Sequence, residues 1–355
     1  MSFGAISIPA VTALSNGAKK AGIWMNTGEG SISPYHLQGG CDLVFQIGTA
    51  KYGVGKPDKT LDEEKLLRIA ELDQVKMFEI KMSQGAKPGK GGILPKEKVT
   101  KVIAAVRHIP AGQDSISPNG HQEIRCIDDL LDMIVRIREL TGKPVGFKAV
   151  IGTSDWIDDL MQAIHRRGPE HAPDFITIDS ADGGTGAAPQ SLMDYVGLPI
   201  KRSLPLMVDK LIEYNLRERI KIIVSGKLVN PSEVAWAICV GADFVTSARG
   251  FMFALGCIQA LQCNKNTCPT GITTHNKDLQ RGLDPTDKAE RVYNYATQLQ
   301  YEVGTIAHAC GVKEARSLTR KHAHIINANG LPEPMEEQFP TPTVRSDLIA
   351  SSKEV

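Results

Sequence analysis

Between Ile23 and Gly250 the sequence alternates short apolar runs with amphipathic segments, and each apolar run ends in a loop of small or polar residues. The runs are Ile23-Trp24-Met25, Asp42 to Gly48, Val75 to Met82, Pro144 to Val150, Asp174 to Asp179, Ile220 to Val224 and the stretch opening at Phe244. Helical patterns run from Ala10 to Ala21, Leu61 to Glu71, Asp128 to Leu140, Trp156 to Arg167, Leu204 to Asn215 and Pro231 to Val240. Strands alternating with helices imply parallel strands joined by right-handed crossovers. The loops that look functional all follow strands, which is the rim where a barrel places its chemistry. A doubly wound sheet is the competitor, but no G-x-G-x-x-G follows a first strand. The sequence therefore predicts an α/β fold, a (β/α)8 TIM barrel.

Composition narrows the function classes. The 355 residues are 42% hydrophobic, enough for one large core. A formal net charge of +1 gives no electrostatic case for nucleic acid or an anionic membrane. No apolar run reaches the ~18 residues that span a bilayer, and no signal-peptide pattern opens the chain. Seven cysteines is an odd number, and three of them crowd together. That pattern reads as a reducing cytoplasm with ligating thiols rather than a disulfide scaffold.

Two stretches carry chemistry. From Gly241 to Gly271 a strand leads through Ser247-Ala248-Arg249-Gly250 into a helix start, where unpaired backbone N–H groups suit a phosphate. Beyond it Cys257, Cys263 and Cys268 are spaced C-x5-C-x4-C, which suggests a soft metal or an iron–sulfur cluster. Zinc would want a fourth ligand, and His275 is the only nearby candidate. Cys41, Cys126, Cys239 and Cys310 read as small hydrophobes. The second stretch, Ser83 to Pro95, is a glycine-rich loop with Lys87 and Lys90 after a strong strand. A binding loop and a plain surface loop both remain open there.

Taken together, the motifs MSFG-x-IS, NTGEG, EIKM-x-QGAKPG-x-GG, DGGTGA and GC-x5-C-x4-CP-x-G resemble the FMN-binding synthase domain of glutamate synthases, from Met1 to about Thr273. The resemblance implies FMN at the top of the barrel, with Ser2 near the flavin ring and Gln46 and Lys148 on its polar edge. Val145 and Phe147 flank Lys148 at buried spacing, which argues against a solvated lysine. Gly184, Gly186, Ser225, Gly226, Ala248 and Arg249 would hold the phosphate. Cys257, Cys263 and Cys268 match the family's 3Fe–4S cysteines.

The family reaction reductively aminates 2-oxoglutarate to glutamate. By resemblance Lys87 and Arg107 bind the substrate carboxylates. Lys81, Gln84 and Glu29 line the site, with Lys81 and Glu29 as proton donors. Departures from the pattern bear on specificity. Ile93 stands where larger family members carry a substrate-contacting glutamine, and Cys126 and Asp128 replace a serine and a glutamate near the ammonia-channel mouth.

The chain shows no amidotransferase or dinucleotide-binding pattern, so the expected partners are a ferredoxin or NAD(P)H-dependent reductase subunit and a glutaminase or free ammonium. An N-methylglutamate synthase and an electron-transfer subunit are the alternative readings. Met1 already lies in the first motif, which suggests a truncated start with an open barrel edge. The expected layout is a domain over 1–275, a helical extension over 276–331 and an extended tail over 332–355.

Overall fold

The computed structural model describes residues 1–182, 184, 186–194 and 196–351. Gly183 and Thr185 of the DGGTGA loop, and positions 352–355 of the expected tail, lie outside the described residues. The strands β1 (Met25–Asn26), β2 (Leu43–Ile47), β3 (Val75–Lys81), β4 (Val145–Ala149), β5 (Phe175–Asp179), β6 (Lys221–Ser225) and β7 (Phe244–Thr246) form one sheet. Every neighbouring pair is parallel and the spatial order is the chain order. A doubly wound sheet reverses direction partway, so this order selects the barrel winding.

Helix α1 (Ile8–Ala21) precedes the sheet, and α2 (Glu63–Ala70), α3 (Lys101–Arg107), α4 (Ile127–Thr141), α5 (Asp155–Arg167), α6 (Ile200–Glu213), α7 (Pro231–Val240) and α8 (Ala248–Ala254) lie between or after the strands. β2 is buried along its whole length, as a strand covered on both faces must be. Leu43, Phe45, Phe78, Val145, Phe147 and Ile176 are all at most 1% exposed and belong to one continuous core.

Local chemistry explains where the boundaries moved. Gly22 caps α1 in the left-handed region at φ 67°, and Ile23 N–H turns back to the Ala18 carbonyl at 3.0 Å. The first strand therefore starts at Met25, two residues later than the apolar run suggested. α6 starts at Ile200 and carries Pro205 inside it, whereas the sequence placed that proline near the helix start.

The long helix α9 (Pro285–Ala309) packs lengthwise on α1. Gly17 allows that approach, since a Cβ there would stand 2.5 Å from the Val292 side chain. The expected extended tail from Pro332 needs correction. Pro332–Pro334 pairs antiparallel with His324–Ile326, and the short helix Met335–Gln338 follows. Met335 is fully buried, Arg320 pairs with Asp209 of α6, and Arg345 donates to the Tyr214 hydroxyl at 2.9 Å. Apolar burial and two guanidinium anchors dock a segment whose composition alone reads as solvated. Among the described residues no helix is long and apolar enough to cross a membrane.

Candidate active site

Side chains at the C-terminal ends of β2 to β5 converge on one another because residues two apart on a strand share a face. Glu79 and Lys81 are such a pair on β3, and Lys81 lies in register with Lys148 on β4. Glu79 is 2% exposed and fully engaged. Its Oε1 accepts from Gln46 at 2.6 Å and Asn26 at 2.9 Å, and its Oε2 from Thr177 at 2.6 Å. Lys148 Nζ stands 3.3 Å from Asp179 Oδ2, which also accepts from Gly85 N–H at 3.0 Å. Burial alone would lower the Lys148 ammonium, but Asp179 and Glu79 outweigh it and raise it above an ordinary lysine.

Lys81 is 8% exposed, with its amine 3.2 Å from Glu29 Oε2 and 2.8 Å from Gln84 Oε1. Burial lowers the amine below the usual lysine range; Glu29 opposes that shift, and Lys148 and Lys87 add to it. Burial would raise the Glu29 carboxyl, yet Lys81, Arg107 and Lys87 together hold it below an ordinary glutamate. Glycines make room for this carboxylate. A Cβ on Gly92 would sit 2.4 Å from Glu29 Oε1, and one on Gly48 would sit 2.7 Å from its Cβ. The cleft around Glu29, Lys81 and Gln84 is walled by Thr49, Gly91, Pro118 and Asn119.

The loop after β3 is closely packed at its two ends. A Cβ on Gly85 would lie 1.6 Å from the Ser180 carbonyl oxygen, and one on Gly91 would lie 1.9 Å from that of Ser117. Lys87 is half-buried on this loop, and burial lowers its amine, with Glu29 opposing. Arg107, 5% exposed at the end of α3, donates to Ser2 Oγ at 3.2 Å and the Phe3 carbonyl at 3.0 Å. Its guanidinium lies 4.8 Å from the Tyr52 ring centre, and its Nε is buried without a hydrogen-bond partner among the described residues. Ile93 is exposed in a two-strand antiparallel sheet with Ser115–Ile116, and Asp128 is ion-paired with Arg166 and Arg167 away from the cleft. Cys126 precedes α4 as its exposed N-cap residue.

Farther round the rim, Arg249 on α8 donates to the Gly184 carbonyl. Ser225 ends β6 beside Asp179, and Gly226 adopts φ +135° where a Cβ would meet the Ser180 side chain at 2.1 Å. Ala248 is exposed at the first turn of α8, and a Cβ on Gly186 would stand 2.3 Å from the Leu261 carbonyl oxygen. The rim thus joins the glycine loop to the cysteine loop.

Cys257, Cys263 and Cys268 are half-buried and free. Among the described residues no three histidine, cysteine or carboxylate side chains are grouped as a metal-holding set. Burial would raise the Cys268 thiol, but the Thr270 hydroxyl at 3.4 Å and the backbone N–H groups of Thr270 and Thr273 bring it to about 7. Lys98, 2% exposed, donates to the Ala5 carbonyl at 2.7 Å and the Cys263 carbonyl at 3.1 Å, tying this loop to the start of the chain. His275, weighed as a fourth ligand, bonds the Gly4 carbonyl through Nε2 at 2.8 Å.

Glu79, Asp179, Asn26 and Thr177 were not among the residues singled out in the sequence. The signal for Glu79 was available: a glutamate two residues before Lys81 inside an apolar strand must share its face.

A family model described as the conserved region in glutamate synthase matches residues 1–313. The Bacillus subtilis glutamate synthase large subunit-like protein YerD is 42% identical over 323 residues, 91% of this chain and 61% of its own length. An archaeal glutamate synthase [NADPH] from Methanocaldococcus jannaschii is 35% identical over 331 residues, covering 90% of this chain and 59% of that protein. This chain therefore spans about 60% of the length of these relatives. A flavocytochrome b2 variant with pyruvate bound superposes with a TM-score of 0.51 at 14% identity, over 96% of this chain and 69% of that one. A Pediococcus acidilactici lactate oxidase gives 0.52 at 15% identity, over 91% and 71%. At such identities the likeness is one of fold.

Proposed function

Because the chain belongs to the glutamate synthase family, we propose that it is an oxidoreductase of the CH–NH2 class that reductively aminates 2-oxoglutarate to L-glutamate, using FMN and a 3Fe–4S cluster. The observation that carries this reading is the buried Lys81 amine, held between Glu29 and Gln84 beside a second, half-buried cation, Lys148.

The donor set fits a flavin nucleotide. Gln46 spends its amide N–H on Glu79 and keeps its amide oxygen as an acceptor, while Lys148 favours negative charge on the ring edge. Arg249, Ser225, Ala248 and the turns at Gly184, Gly186 and Gly226 would hold the phosphate, with Ser2 near the ring. FMN, when bound there, supplies the hydride. A cluster would take the thiolates of Cys257, Cys263 and Cys268; Cys268, at about 7, is already disposed to ligate.

The chain's own residues then have distinct tasks. Lys87 and Arg107 hold the two carboxylates of the oxo acid, and the Nε of Arg107, without a hydrogen-bond partner among the described residues, is a donor for that purpose. Lys81, its amine lowered by burial, gives a proton as ammonia adds and water leaves. Glu29, held ionised by the surrounding cations, keeps the Lys81 ammonium in place, solvent returns the proton to Lys81, and Gln84 fixes the amine's direction. Ammonia and electrons come from outside the chain: free ammonium or a glutaminase partner, and a ferredoxin or NAD(P)H-dependent reductase subunit, in the cytoplasm. Relatives named as NADPH glutamate synthases support this electron source.

One observation favours a second reading, N-methylglutamate synthesis from methylamine. Ile93 is exposed and Asp128 is committed to Arg166 and Arg167, so neither reproduces the family's polar contacts at substrate and ammonia. Anaerobic reconstitution with FMN and iron, followed by turnover with ammonium or methylamine, separates the two. A chain that stays colourless after reconstitution contradicts both.

A further inference from the structure

His121 lies on the loop 117–126, which forms one wall of the cleft, and none of the tasks above uses it. It is 5% exposed, with Nε2 3.0 Å from the Lys81 carbonyl oxygen. A carbonyl only accepts, so Nε2 carries the proton and Nδ1 is a bare acceptor. That Nδ1 is buried without a hydrogen-bond partner among the described residues. Burial, reinforced by the Lys51 cation, pushes the ring down to about 4, against Glu123 and Glu29. The ring is therefore neutral near pH 7 and is not built to shuttle protons there. It is built to hold a carbonyl.

What it holds is the last residue of β3, from which the Lys81 amine projects to Glu29 and Gln84. The same loop is bonded to the other cleft walls. Ser117 N–H donates to the Gly92 carbonyl at 2.8 Å, Gly91 N–H to Asn119 Oδ1 at 3.2 Å, and Thr49 Oγ1 to the Pro118 carbonyl at 2.7 Å. Glu123 pairs with the buried Lys51 at 2.5 Å. His121 is thus where a loop-built wall is bonded to a strand-built base.

We propose that His121 is a positioning residue for Lys81: its Nε2–H anchors the Lys81 carbonyl and holds the amine in register with Glu29 and with the wall that carries the substrate-binding loop. The inference deepens the reading above and depends on it for turnover, but not for the placement of Lys81.

The test is the pH dependence of Lys81 acetylation, followed by mass spectrometry on the full chain, in wild type, His121→Met and His121→Gln. Glu29, Lys148 and Lys87 face the amine and are left in place. Methionine keeps the bulk and removes the donor; glutamine returns an N–H near the position of Nε2. In His121→Met the amine loses its register with Glu29, which opposes the lowering by burial, so the Lys81 midpoint moves down by about one unit, a tenfold change in the free-amine fraction. In His121→Gln it stays near wild type. Turnover follows the same order, with kcat falling more than KM changes.

If His121→Met does not fold, His121→Asn, whose amide is too short to reach, takes its place in the comparison. Equal midpoints in all three proteins, or equal shifts in both variants, overturn the proposal. A shifted midpoint in a protein that never makes glutamate leaves His121 in this role and removes the functional reading instead.

Discussion

The strand-end cleft and the cysteine loop are joined through Gly186 and Lys98, yet they are organised in different ways. In the cleft, Lys81, Lys148, Glu79 and Asp179 come from adjacent parallel strands, so sheet register brings Lys148 to Asp179, and Glu29 meets Lys81 from the loop directly after β1. The cysteine loop has no ladder. Gln259, Leu261 and Asn266 adopt positive φ, Ile258 is 68% exposed, and separate bonds from Lys98 to Cys263 and from Thr274 and His275 to Asn266 hold the loop. A sheet fixes side chains in sets, whereas a loop fixes them one at a time. The cleft's chemistry therefore belongs to the fold, while that of the thiols depends on what they bind.

The sharpest way to break this comparison is at the cleft's centre. Lys81→Met removes the proposed proton donor, and turnover falls by about 10²- to 10⁴-fold while FMN is retained. Steady-state rates together with flavin content read both effects. If FMN is lost as well, Lys81 belongs to the cofactor site. Next in size is Glu79→Ala, which strips one buried acceptor group from Asn26, Gln46 and Thr177. A loss of about 3 kcal/mol is expected in urea unfolding; a loss near zero would mean that water replaces the carboxylate.

Gly92→Ala pushes a methyl group onto Glu29 Oε1. About tenfold in kcat is expected, from a displaced carboxylate, with melting shifted by only a few degrees.

Acid stability sharpens the comparison further. Glu29 titrates below an ordinary glutamate when folded, so between that value and about 4.3 the unfolded chain binds the extra proton. Its contribution is complete above this window and is lost as pH falls through the folded value. Glu29→Gln should flatten the acid limb of stability below about pH 4 and leave the slope above pH 5 unchanged.

The smallest effect on the fold should come from the loop. Cys268→Ser is expected to abolish iron uptake on reconstitution, measured by iron analysis, yet to change unfolding by less than about 1 kcal/mol. Loss of FMN in that variant would show that the two regions are not independent.

The barrel winding was legible because each apolar run from β2 to β7 is a strand with its own crossover. The boundaries that moved did so for local reasons, the Gly22 cap and the proline inside α6. The docked tail was not legible, since the Arg320–Asp209 pair and the Arg345 bond to Tyr214 join residues more than a hundred positions apart. Lys81, Glu29 and Gln84 were legible as a set from motifs, and the structure brings them together. Arg107 lies in none of those motifs and came only from the family resemblance, and its burial against Ser2 and Tyr52 needed the fold. His121 was invisible because a histidine in a loop has no period to betray its bond to a strand end.

The central claim is that the Lys81–Glu29 cleft aminates an oxo acid. The most direct test reduces the reconstituted protein anaerobically, adds 2-oxoglutarate with ammonium and follows the flavin absorbance. The account predicts reoxidation with an equal amount of glutamate formed, abolished in Lys81→Met. Flavin that stays reduced with every oxo acid and amine offered, in a protein that holds both cofactors, would contradict it.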